Sequence, residues 1–390
     1  MHKLLDRQLG DDLAFSLRHF PVTAILGPRQ CGKSTLARYI ISELYADSVY
    51  IDLERPSDLQ KLEDAEWFLS HQHGKLVCLD EIQRKPELFP MLRSIVDDNA
   101  VSGQFLILGS ASRDLIKQSS ESLAGRITYK KLTPFLWSEI CAASELETYI
   151  VRGGFPRSLL AEHDRISMQW RESFITTFLE RDLLQFAGFN SVSMRRLWQM
   201  LAHSNGQTVN YSTIGSSLGV SHTSVRKYID LLEGTFMVRQ LRPYEGNTKK
   251  RLVKSPKVYI TDTGLTTALL KLSSFEDAAG HPVFGSLWES VIIENIKGHY
   301  PELDLSFYRS SHGNEIDILL RYGDDVIAVE CKATLSPKLS RGNYSAIDDI
   351  RPSKTFVVIP TEKGYAFKPD IEVVSLSELI EKIPAALRMN

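Results

Sequence analysis

Residues 22–38 read VTAILGPRQCGKSTLAR. The first five are apolar and partly β-branched, the signature of a short buried strand. The last seven, continued by YIISEL, place apolar residues at helical spacing. Between them, Gly27-Pro28-Arg29-Gln30-Cys31-Gly32-Lys33-Ser34 fits G-x-x-x-x-G-K-[ST] at every fixed position. A glycine-bearing loop between strand and helix turns consecutive N–H groups toward one point, and the helix adds its positive end. That point suits phosphate. Gly27 to Thr35 therefore form the expected nucleotide-phosphate loop, with Lys33 reaching the outer phosphates and Ser34 holding Mg²⁺.

The surrounding chain extends the pattern. Short apolar runs recur at Val49–Leu53, Leu76–Leu79 and Phe105–Leu108, separated by helix-length polar stretches. Continuous apolar strands alternating with helices predict a parallel α/β sheet covered on both faces. The run LVCL ends in Asp80-Glu81. Asp80 is placed to share the Mg²⁺ shell, and Glu81 to orient an attacking water. The run FLIL leads to Ser110, read either as a contact to the γ-phosphate and water or as a plain strand-end turn. Arg126, in LAGR, is either an arginine acting on a neighbouring subunit's γ-phosphate, which requires a homo-oligomer, or a structural salt bridge.

Taken in order, GPRQCGKSTL, CLDEIQ, LILGSAS, LAGR, RGGFP, LERDLL, TDTGL, GNEIDILL and VECK resemble the AAA+ superfamily ATPases of bacteria and archaea that carry a C-terminal domain of unknown function. The resemblance covers nearly the whole chain. It implies a P-loop ATPase domain that binds ATP and hydrolyses it, and leaves the cellular role open.

Four modules are expected: a P-loop ATPase domain at 1–150, a helical lid segment at 151–205, a winged helix-turn-helix at 206–262 and a nuclease-like α/β domain at 263–390. ISMQWRESFITTFLERDLLQF and SMRRLWQMLAH have helical periodicity and no strand-like run. Ser212 to Ser221 reads as a capped helix ending in a turn at Gly219, and His222 to Leu232 as a second helix. The second would expose Arg226 and Lys227. MVRQL and KVYI then read as a strand pair around PYEGNTKKRLVKSP. Arg239, Arg242, Lys249, Lys250, Arg251, Lys254 and Lys257 give seven cations there against one acid, Glu245. The segment is read either as a phosphate footprint for DNA or as a lid or protein-docking surface.

At the C-terminal end the order helix, three strands, helix, strand resembles the PD-(D/E)xK nuclease superfamily. Asp317 and Glu330 could share a metal ion, Lys332 lies two residues beyond Glu330 on the same strand face, and Glu289 is a possible fourth member. Ile316 stands where that superfamily has a proline. The domain is either an active nuclease or a nuclease-like fold used for binding.

Composition narrows the remaining classes. The 390 residues carry 46 Lys and Arg against 48 Asp and Glu, a net charge of -2, which excludes a globally basic nucleic-acid coat but not a local patch. Four scattered cysteines and ten histidines without zinc spacing give neither a disulfide framework nor a zinc site, and point to a reducing, cytoplasmic setting. Cys31 lies inside the loop, where a lowered thiol pKa is expected if it responds to redox state. No apolar run is long enough for a membrane span.

Overall fold

The computed structural model describes residues 5–99, 101–110, 119, 121–183, 190–246 and 252–389. The chain forms two compact units, Met1–Phe135 with Gly234–Phe236, and Leu136–Glu233 with Met237–Asn390. The division differs from the expected modules: residues 136–150, expected with the first, belong to the second unit, and Gly234–Phe236, expected with the third, belong to the first.

The first unit is built on five parallel strands: β1 (Val22–Leu26), β2 (Ser48–Asp52), β3 (Leu76–Asp80), β4 (Phe105–Gly109) and β5 (Ile127–Lys131). Their order is β2-β3-β4-β1-β5, with every pairing parallel. Each residue of β1, β3 and β4 is buried. This is why those strands read as unbroken apolar runs: helices cover both faces. The Leu88–Asn99 helix buries Leu88, Phe89, Leu92, Ile95 and Val96, a stripe at helical spacing. Each such side chain stabilises by about 1.5–3 kcal/mol. β5 went unforeseen. Its sequence ITYKK is half-exposed, as suits an edge strand paired only through β1.

The second unit holds a nine-stranded mixed sheet. Its strands are β6 (Gln207–Thr208), β7 (Val238–Pro243), β8 (Lys257–Ile260), β9 (Asp304–Arg309), β10 (Glu315–Tyr322), β11 (Asp325–Cys331), β12 (Lys354–Val358), β13 (Tyr365–Lys368) and β14 (Ile371–Val374). The order is β13-β14-β12-β11-β10-β9-β7-β8-β6. The strands flanking the basic loop therefore continue into the terminal sheet through the parallel β7–β9 pairing. Helices Tyr211–Leu218 and His222–Gly234 meet at Gly219, whose φ of 69° is left-handed. Asn210, not Ser212, caps the first, accepting from Thr213 N at 3.1 Å. Among the described residues no helix is long and apolar enough to cross a membrane.

RGGFP and TDTGL, far apart in sequence, form one buried joint. Asp262 accepts from Gly154 N at 2.8 Å and from Leu265 N at 2.9 Å, capping the Thr263–Leu269 helix. Burial pushes its carboxyl up to about 6, although these N–H donors oppose the shift. The Arg171 guanidinium, fully buried, donates to Val151 O, Gly264 O and Thr267 Oγ1 at 2.7, 3.0 and 2.6 Å. These two carbonyls and one hydroxyl offset part of the cost of burying its charge. Gly153 has φ 71°, and a Cβ there would lie 2.2 Å from Asp262 Oδ1. Gly153→Ala combines backbone strain with a steric clash against a buried carboxylate. It should destabilise the second unit by about 2–4 kcal/mol, read as a lower urea midpoint.

Candidate functional site

Parallel strands bring their C-terminal ends to one edge of the sheet, where α/β folds place ligands. The phosphate loop leaves β1 there, Asp80 ends β3, and Ser110 follows β4. Gly27 is required sterically, since a Cβ would lie 2.1 Å from Leu132 O. Gly32 has φ 106°. Lys33, 5% exposed, donates from Nζ to Gly27 O and Pro28 O at 3.0 and 2.8 Å. Its ammonium is thus centred on the loop. Arg29 lies 3.7 Å from Glu54, which also pairs with Arg84 at 2.7 Å.

Ser34 Oγ donates to Asp80 Oδ2 at 2.8 Å, and Tyr50 OH donates to the same oxygen at 2.5 Å. The Arg38 guanidinium lies over the Tyr50 ring at 4.5 Å. Asp80 is 5% exposed, and its other oxygen, Oδ1, has no hydrogen-bond partner among the described residues. A buried carboxylate oxygen without a donor is costly. Next to a serine hydroxyl and a phosphate loop, it fits the oxygen-rich shell of Mg²⁺. The donor set therefore suits the ion that the loop implies, with Ser34 and Asp80 as its protein ligands.

Glu81 follows in a left-handed conformation, φ 60°. Burial raises its pKa above the usual carboxylate value, partly offset by Lys33 and Arg29. Gln83 Nε2 donates both to Glu81 Oε2 and to Ser110 Oγ, the latter at 2.9 Å. The structure so brings together Lys33, Ser34, Asp80, Glu81 and Ser110. Arg126 stands elsewhere. It pairs through two nitrogens with Asp97, and its carbonyl receives Val22 N at the start of β1, the opposite edge of the sheet. Cys31 departs from expectation: it is fully buried, and desolvation raises its thiol pKa despite the nearby Lys33 and Arg7.

Sequence reading missed three side chains. Arg7 donates to Cys31 O at 3.0 Å and Thr133 O at 2.7 Å, tying the loop to the segment after β5. Tyr50 and Gln83 bear on the two acids. Only Gln83 had a signal, its place two residues after Glu81.

In the second unit, His222, Thr223, Arg226 and Lys227 are exposed on their helix, while Val225, Tyr228, Ile229 and Leu232 are buried. Arg242 and Lys254 are exposed. Two of the seven counted cations are not surface charges. Arg239 forms a two-nitrogen pair with Glu294 at 2.5 and 2.8 Å, and Lys257 is 3% exposed. Lys249, Lys250 and Arg251 lie outside the described residues.

Of the terminal acids Glu330 is buried and Glu289 and Asp317 are partly buried, and each is engaged. Tyr259 OH donates to Glu289 Oε2 at 2.6 Å. Cys331 N donates to Asp317 Oδ2 at 2.9 Å. Lys332 Nζ and Asn343 Nδ2 donate to Glu330 Oε1 at 2.6 and 2.9 Å. Burial and mutual repulsion raise the pKa values of Glu289 and Glu330, and burial raises that of Asp317. Among the described residues no three His, Cys, Asp or Glu side chains are grouped to hold a metal ion.

Comparison with known proteins agrees with the first unit's geometry. A family described as AAA domain matches residues 19–141, and two domains of unknown function, DUF8612 and DUF4143, match 143–276 and 284–379. The uncharacterized protein Rv2008c of Mycobacterium tuberculosis is 36% identical over 366 residues, covering 94% of this chain and 82% of its own. An uncharacterized protein of Haemophilus influenzae is 24% identical, covering 79% and 82%. The Walker-type ATPase of Pyrococcus abyssi aligns at 16% identity and TM-score 0.49, over 68% of this chain and 96% of that one. The chain belongs to the family of the mycobacterial protein, and its N-terminal part is an AAA-type P-loop ATPase domain.

Tyr50→Phe removes one donor from Asp80 without touching the loop. The Kd for Mg²⁺·ATP should rise by about 10–150-fold, the worth of one hydrogen bond to a charged group, about 1.5–3 kcal/mol. The Kd for metal-free ATP should stay unchanged. Titration of a fluorescent ATP analogue with and without Mg²⁺ separates the two, and equal losses would show that Tyr50 does not act through the metal site.

Proposed function

We propose that this protein is a Mg²⁺-dependent ATPase whose turnover is coupled to nucleic acid bound by its helix-turn-helix segment. The observation that carries the first part is the partnerless buried oxygen of Asp80 beside Ser34, one residue from Glu81. ATP enters with its outer phosphates on the loop N–H groups and Lys33. Ser34 and Asp80 would hold Mg²⁺, which when bound neutralises phosphate charge. Glu81, once ionised, orients the attacking water and accepts its proton. Gln83 fixes the distance between Glu81 and Ser110 by donating to both.

Support for the second part is the exposed edge of the His222–Gly234 helix, with Arg226 and Lys227 flanked by His222 and Thr223. These side chains can contact phosphates and base edges. In this reading the two helices and β6–β8 form a winged helix, and Arg242 and Lys254 extend the cationic face.

Lys33→Ala should abolish ATP binding, while Glu81→Gln should keep ATP and lose about 10²–10⁴-fold in turnover. Parent-rate turnover by Glu81→Gln would remove Glu81 from its role. Activity needs ionised Glu81, whose pKa burial has raised. The acid limb of the kcat/KM profile, which reports the free enzyme, should therefore lie above the ordinary glutamate value of about 4.3 and vanish in Glu81→Gln. For the partner, a gel-shift titration at two salt concentrations should show steep salt dependence. Arg226→Ala with Lys227→Ala should flatten that slope by about 1 per lost phosphate contact, and DNA should stimulate the parent ATPase. Absence of binding at low salt, with and without ATP, excludes nucleic acid as the partner.

A further inference from the structure

Four carboxylates, Glu289, Glu315, Asp317 and Glu330, influence one another in the second unit. Into this set projects a side chain from outside the acid-bearing elements. Lys257, on β8, places Nζ 2.6 Å from Glu315 Oε1 and 3.9 Å from Asp317 Oδ1. It also lies over the Phe307 ring at 5.3 Å. The lysine is 3% exposed. Burying an ammonium is costly unless anions surround it. Here burial lowers its pKa, but Glu289, Asp317 and Glu315 outweigh that and push it up. The ion pair with Glu315 at 2.6 Å is the geometry of an ammonium held by carboxylates.

A metal ion on Asp317 would meet this charge at close range. Asp317 Oδ1 faces Lys257 at 3.9 Å, while Oδ2 accepts from Cys331 N at 2.9 Å. The set nevertheless retains a free ligand. Glu330 is 3% exposed, and its Oε2 has no hydrogen-bond partner among the described residues. The acids could thus bind a cation, but the cations already present are side chains: Lys257 on Glu315 and Asp317, Lys332 on Glu330 and Arg309 on Glu315.

We propose that Lys257 is the resident counter-cation of this carboxylate set, standing in for a divalent metal, so that the terminal sheet is closed to metal while the lysine is in place. The inference is independent of nucleotide chemistry at the phosphate loop. Lys257 itself lies outside the D…E-x-K residues, although Asp317 and Glu330 belong to them.

The test is Mn²⁺ uptake by nucleotide-free, full-length protein, followed by electron paramagnetic resonance. Every variant carries Asp80→Asn, which removes the phosphate-loop carboxylate from the signal. With Lys257 present, uptake should be the same with and without Asp317→Asn. Lys257→Met should gain about one equivalent of Mn²⁺, a small number of carboxylates being enough for one ion, and adding Asp317→Asn should abolish the gain. Asp317-dependent uptake in the lysine-bearing protein overturns the proposal, as does a folded Lys257→Met protein with no uptake. If Lys257→Met does not fold, Lys257→Gln keeps a polar group in the same space and is read the same way. The comparison in the lysine-bearing protein needs no change at Lys257 and decides whether the site is closed.

Discussion

One hydroxyl–carboxylate hydrogen bond keeps the working parts of the nucleotide unit in register. Ser34, at the start of the helix after the phosphate loop, donates to Asp80 at the end of β3. β4 lies between β1 and β3 in the sheet, so the bond spans about two strand spacings, on the order of 10 Å of backbone separation. It can do so only because the parallel strands end at the same level. Tyr50 binds the same oxygen from the neighbouring strand β2. Both donors converge on Oδ2 and leave Oδ1 for a ligand. The sheet's strand order is thereby converted into the orientation of one carboxylate.

The same geometry explains why glycine is needed at the loop's first position. The carbonyl of Leu132 follows β5 and comes close enough to exclude a side chain at Gly27. Arg7 reinforces that contact by bonding both Cys31 O and Thr133 O. The loop is shaped from two sides, by β5's continuation and by the β3 carboxylate. Cys31 is enclosed as a result, and its thiol behaves as a buried apolar group rather than an activated one.

Much of this was legible in sequence where the signal is local. β1, β3 and β4 announce themselves because both faces are buried, and the loop because its glycines and lysine sit within eight residues. Edge strands β5 and β13 have no such signature: ITYKK and YAFK are half-exposed or exposed. Tyr50 acts through a partner set by strand register and Arg7 through loop carbonyls far along the chain, neither of which spacing encodes. RGGFP and TDTGL stood out as motifs, but their observed work is steric, two glycines and a buried aspartate at one joint. Charge counting misjudged the 239–257 segment for a related reason. It registers each cation but not its partner, and Arg239 and Lys257 both have partly buried carboxylate partners.

Partner identity also separates the two buried lysines among the described residues. Lys33 and Lys257 are both nearly inaccessible and both stand near acids. Lys33 is held by two neutral carbonyls, Gly27 O and Pro28 O. Exchanging neutral acceptors for anionic phosphate oxygens strengthens its hydrogen bonds, so the ligand can win the ammonium. Lys257 is held by carboxylates directly. Exchanging one anion for another gains little and strands a partly buried carboxylate without its counter-charge, which is unfavourable. The first lysine is thus poised for an incoming anion, while the second is committed to the protein. Burial alone does not distinguish a binding cation from a structural one; the charge of the atoms already bonded to it does.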